Sequence, residues 1–280
     1  CAILLFVTLT AVLCSELNRR LELPVARYPA LALLPAMYLA LLYATLDVRH
    51  PLAAGGVVSW PLAFIGFYLV CRRHEGPGGA PLANLLHVGS LWLLTGLFGW
   101  EIAWDIDWAV AGGGSWPAIG WVLVPALVLL ALPRLGERVA WPFQAHRAAY
   151  VAAGGAGLAL YVALWSILAN ATLPGDPSPL PYVPLLNLLD VAEGFALAAL
   201  VGYAVHVQRA GFALYAGVTQ RAWLYLLAGL VFIWANAILL RTIHHWTGVP
   251  FDLGEMLGSN VVQTSITIFW TVLALAAMLF

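Results

Sequence analysis

Long apolar stretches alternate with short polar ones along the whole chain. A helix that crosses the hydrocarbon core of a bilayer needs about 20 mainly apolar residues. On that measure the pattern predicts about nine spans, at roughly 1–15, 29–46, 55–71, 83–103, 116–132, 148–168, 186–207, 222–243 and 261–280. Turn and breaker residues fill the gaps, as in Gly76-Pro77-Gly78-Gly79, Ala111-Gly112-Gly113-Gly114 and Leu173-Pro174-Gly175-Asp176-Pro177. The apolar stretches show no period-two alternation, and only helices or closed barrels satisfy the backbone in lipid. The expected fold is all-α, a polytopic transmembrane helix bundle forming a single domain over 1–280. The chain starts at Cys1 and stops at Phe280, each inside an apolar run, so truncation at both ends is expected.

Arginine adds an orientation. Loops 16–28, 72–82, 133–147 and 208–221 hold ten of the 12 basic residues, and the alternate loops hold only Arg49 and Arg241. By the positive-inside rule the first set faces the cytoplasm. The expected location is a bacterial cytoplasmic (inner) membrane. Trp60, Trp100, Trp104, Trp108, Trp116, Trp165 and Trp246 then gather at the outer interface, and Trp141 and Trp223 at the inner one. Composition agrees: 63% of residues are hydrophobic and 9% charged, against about 25% charged in a soluble domain. Nothing resembles a phosphate-gripping basic run, so nucleic acid is not an expected partner. The partner expected first is the lipid bilayer itself. Cys1, Cys14 and Cys71 are far apart, without a CxxC pair, so neither a thiolate metal site, nor any other metal, nor a cofactor is expected.

Candidate chemistry clusters at the outer helix ends. Asn187 can cap the seventh span, with Asp190 and Glu193 placed to complement the helix dipole or to face one cavity. Glu193 is the deepest ionisable group, about two turns or roughly 10 Å inside. Asn260 and Gln263 at the start of the ninth span resemble a capping box. Arg241, His244 and His245 share a face at the end of the eighth span, as an interface anchor or an anion-holding cluster. Glu101 and Asp105 repel each other at a negative helix end, so they need a cation; pairing with Arg241 or His244 is expected. His87 and His206 read as interfacial histidines on the inner side. Mid-span Asn236 is expected to bond a neighbouring helix, for about 0.6 kcal/mol.

The run Leu239-Leu240-Arg241-Thr242-Ile243-His244-His245-Trp246-Thr247-Gly248-Val249-Pro250, followed by Ser259, Gln263 and Trp270, resembles the C-terminal part of a bacterial family of predicted multi-pass membrane proteins, domain of unknown function 2339. Pro181 to Asp190 and Gly99 to Trp104 are similar to its recurring motifs, although Leu188 stands where a proline is expected. The resemblance implies the architecture and carries no activity, catalytic residue or cofactor.

Three functions stay open. An enzyme acting on an anionic lipid or glycan would bind it with Arg241, His244, His245, Asn187 and Gln263, and use Glu101, Asp190, Glu193 or His244 as acid or base. It requires Arg241, His244, Glu101 and Asp190 to share one open pocket. A transporter or flippase requires a polar path past Asn236 toward the cytoplasm, and the spans lack the midplane charge such proteins commonly carry. A scaffold or sensor requires only charges that pair and pack shut.

Overall fold

A computed structural model describes residues 1–75, 80–110 and 114–279. The expected turns at Gly76 to Gly79 and at Ala111 to Gly113 lie outside the described residues. Helices form at every predicted span. They are α1 (Ala2–Leu21), α2 (Arg27–Leu31), α3 (Leu33–Asp47), α4 (Gly56–His74), α5 (Ala80–Ala109), α6 (Trp116–Arg138), α7 (Gly155–Thr172), α8 (Leu188–Ala210), α9 (Gln220–Thr247), α10 (Leu253–Gly258) and α11 (Asn260–Leu279). Two π-helical stretches, Ala140–Gln144 and Ala148–Gly154, join α6 to α7.

Among the described residues seven helices are long and apolar enough to cross a membrane, two fewer than the pattern predicts. The difference has a physical reason. The stretch at 29–46 is broken between α2 and α3, which leaves α3 only 15 residues. Helix α4 has 19 residues but ends in Arg72, Arg73 and His74, which lower its average hydropathy. Helix α5 has the opposite character. Its 30 residues reach about 45 Å, more than enough to cross a hydrocarbon core of about 30 Å.

The chain divides into two compact units, Cys1–Trp104 with Ala131–Leu158, and Asp105–Leu130 with Ala159–Phe280. In the first, α1 packs chiefly along α4, and Leu4, Leu33, Met37, Trp60, Phe67 and Leu93 form the core. Gly66 of α4 permits the close approach: a methyl there would lie 2.6 Å from Thr8 Cγ2 of α1. Small residues at such crossings let helix backbones meet in lipid.

In the second unit α8 packs on α9, and α9 on α11. Asn236 Oδ1 accepts a hydrogen bond from Trp270 Nε1 at 2.9 Å, the expected bond between α9 and α11. Gly248 closes α9 in the left-handed region, φ 76°, and its N–H returns to the His244 carbonyl, a turn that glycine makes without a Cβ clash. The exposed stripe Ile3, Phe6, Leu9 and Leu13 on α1 is the surface that lipid rather than water must cover.

Candidate functional site

Unit 2 gathers most of the expected outer residues around one guanidinium. Asn187 caps α8, its Oδ1 accepting from the Asp190 N–H at 3.0 Å. That cap points the first turn of α8 at α9, where Arg241 Nη1 donates to Asp190 Oδ1 at 2.7 Å. Arg241 Nε donates to the Leu173 carbonyl and Nη2 to the Ala169 carbonyl, both at 3.1 Å. The Asn187 amide and the Leu185 N–H donate to Asp190 Oδ2. Leu185 holds φ 65°, a conformation that costs a leucine of order 1 kcal/mol and persists where surroundings fix it. Both ions are fully buried, with 0% exposure. Glu193, one turn further along α8, takes the Ser166 hydroxyl of α7. Its Oε2 and the Asn170 Oδ1 have no hydrogen-bond partner among the described residues.

The remaining outer candidates are spent on the backbone. His245 bonds the Pro174 carbonyl through Nε2 at 3.0 Å and stacks on Tyr182. His244 bonds the Val249 carbonyl through Nδ1 at 2.7 Å, bracing the turn after α9. Gln263 donates to the Leu257 carbonyl at 2.7 Å, and Ser259 Oγ, rather than an Asn260 capping box, takes the Val262 N–H at 3.5 Å. Gln263 therefore faces the α10 turn instead of the Arg241 cluster.

Glu101 belongs to unit 1, where it is matched with His50, whose Nδ1 lies 2.8 Å from Oε1. The Leu52 N–H donates to Oε2 at 3.0 Å, and His50 stacks on Trp104 with ring centres 3.8 Å apart. The loop before α4 thus supplies both an imidazole and a backbone donor to Glu101. Glu101 is buried as well.

The other end of α5 carries a second cluster in unit 1. Glu75, just past α4, places Oε1 at 2.8 Å from His87 Nε2 and 3.1 Å from His146 Nε2. His146 sits between the two π-helical stretches, a form that recurs at functional positions. Each outer atom is also held. Trp141 Nε1 donates to Glu75 Oε2 at 2.8 Å, His87 Nδ1 lies 2.9 Å from the Tyr150 hydroxyl, and His146 Nδ1 lies 3.0 Å from Asn84 Oδ1. Tyr150 is held in turn by Tyr68 at 3.1 Å. Burial alone would raise the Glu75 pKa; the Trp141 and His87 hydrogen bonds and the charges of both histidines outweigh it, so the carboxyl stays below its ordinary range. The three ligand atoms lie within 4.8 Å of one another, a spacing one metal ion could bridge.

The profile of a family described as a predicted membrane protein (DUF2339) matches residues 1–280. The chain belongs to that family. No curated protein and no solved structure matches it.

In this DUF2339 protein the sequence candidates Asn187, Asp190 and Arg241 are joined in one cluster, with Glu193 and His245 beside it. Sequence reasoning missed the grouping of Glu75, His87 and His146. These residues are 12 and 59 positions apart in sequence, and His87 alone reads as an interfacial side chain. The arginine alternation puts Glu75 and His146 in two loops of one set and His87 in the first turns of the helix that leaves one of them, and that was the available signal.

Proposed function

We propose that this DUF2339 protein is a non-catalytic scaffold or sensor of a bacterial cytoplasmic membrane. Its arginine-rich loops face the cytoplasm, and the Arg241 cluster is an architectural clamp on the outer side. The observation that carries this reading is that Arg241 is fully buried and all three of its nitrogens are engaged by Asp190, Leu173 and Ala169. A guanidinium that binds an anionic head group must be reachable, and must trade water for the ligand. Here its donors already hold α9 to α8 and to the turn after α7. Two further facts support the same reading. Glu101 already has His50 as its partner, and Asn236 is tied to Trp270.

The deciding experiment compares broken and replaced pairs in a deletion strain, read by growth and membrane lipid profile. Removing one partner strands a buried charge, for about 3–5 kcal/mol, whereas exchanging both for apolar residues is often neutral or better. Arg241→Ala and Asp190→Leu should therefore each lower the amount of folded protein. The double variant Arg241→Met/Asp190→Leu should restore both folding and complementation. A double variant that folds but does not complement would replace the scaffold with a substrate-binding role for Arg241.

A further inference from the structure

The Glu75 cluster has the organisation of a metal site. We propose that Glu75, His87 and His146 together bind one divalent transition-metal ion. The proposal stands on unit 1 alone and does not depend on the reading of the Arg241 cluster.

Four observations carry it. The first is the donor set. Two imidazole nitrogens and one carboxylate oxygen form the three-ligand set of zinc sites that keep a fourth position open, and they also suit other first-row divalent ions. The second is spacing. Bonds of about 2.0–2.1 Å in tetrahedral array put ligand atoms about 3.3 Å apart. The carboxylate-to-imidazole distances of 2.8 and 3.1 Å need to open by only a few tenths of an ångström.

The third observation is the layer around the ligands. A metal-bound histidine presents one nitrogen to the ion and donates the other N–H to a fixed acceptor. Here His146 Nδ1 faces Asn84 Oδ1 and His87 Nδ1 faces the Tyr150 hydroxyl, so both Nε2 atoms point at the same carboxylate oxygen. Trp141 fixes the remaining carboxylate oxygen.

The fourth is access. His87 is fully buried, but Glu75 and His146 keep 21% and 13% of their side-chain surface exposed. A small cleft beside the cluster is lined by Cys71, His74, Glu75, Leu82 and Leu86. The nearby arginines are already engaged: Arg72 lies over the Trp141 ring, Arg73 is 3.5 Å from Glu16, and Arg147 is 3.9 Å from Glu137.

The test uses the full chain purified in detergent, stripped with chelator and free of any histidine tag. It is titrated with Zn²⁺ and, separately, with Co²⁺ as a spectroscopic probe. One Zn²⁺ per chain is expected, not displaced by excess Mg²⁺ or Ca²⁺, which prefer all-oxygen sites. His146→Ala and Glu75→Gln should each abolish stoichiometric uptake and the Co²⁺ ligand-field bands, and His206→Ala should leave both unchanged. Asn84→Ala and Tyr150→Phe keep every ligand and guard against loss of fold. Each should weaken binding by about 10–100-fold with an unchanged elution profile. Wild-type uptake no greater than that of the Glu75→Gln/His146→Ala pair overturns the proposal. So does an affinity that neither Asn84→Ala nor Tyr150→Phe alters.

Discussion

Arg241 illustrates how one side chain can serve three elements at once. A planar guanidinium offers donors in several directions, and here they reach a carboxylate on α8 and two carbonyls at the end of α7. A lysine ammonium keeps the charge but cannot reproduce that fork. Arg241→Lys should therefore retain the Asp190 ion pair and strand the Leu173 carbonyl, while the Ala169 carbonyl keeps the Leu173 N–H. The expected loss is about 1–3 kcal/mol, milder than for Arg241→Ala, and thermal unfolding in detergent would read the order. A similar argument applies to Glu101. Its buried carboxyl group is held by the His50 ring and the Leu52 N–H, so His50→Ala, which removes the side-chain partner, should destabilise unit 1 more than Glu101→Gln, which keeps hydrogen-bonding atoms in place. Equal melting temperatures for the two variants would count against the pair. In contrast, Asn236→Leu removes a single interhelical bond to Trp270 and should cost only about 0.6 kcal/mol.

Helix starts and crossings depend on small residues where backbones come close. At Gly56, the first residue of α4, a methyl group would sit 2.0 Å from the Pro51 carbonyl oxygen, which is main chain and cannot rotate away. Gly56→Ala should therefore displace the start of α4 together with the His50–Leu52 segment that holds Glu101. Proteolysis of that loop in detergent should accelerate. Such close approaches were not legible in the sequence, because they depend on which residues fold back on the helix. The helices themselves were legible, since apolar length alone marks them. The need of Glu101 for a cation was also readable, from like charge at a negative helix end. Its partner was not, because His50 reaches Glu101 only once the loop before α4 folds against α5. The Asn187 cap and an acidic first turn of α8 at Asp190 followed from local rules; the Arg241–Asp190 bond did not. The α11 cap went to Ser259 because Gln263 found a carbonyl on α10 instead.

Taken over its full length, the chain separates two kinds of polar cluster by the loops that carry them. Arg241 and Glu101 lie at helix ends that lead into arginine-poor loops, and Glu75, His87 and His146 lie in or beside arginine-rich ones. Helix α5 links one of each within unit 1, because His87 and Glu101 are 14 residues apart along it, a rise of about 21 Å. That separation fits a helix whose ends emerge at opposite faces of a bilayer, and it is what the arginine alternation demands. The direct measurement is side-specific labelling in intact cells, with the native cysteines replaced. A single cysteine is then introduced at Asp47 or at Glu137, both exposed and both in unit 1. Asp47→Cys should react with a membrane-impermeant maleimide in intact cells, and Glu137→Cys only after permeabilisation. Equal reaction of both sites from outside would contradict the account.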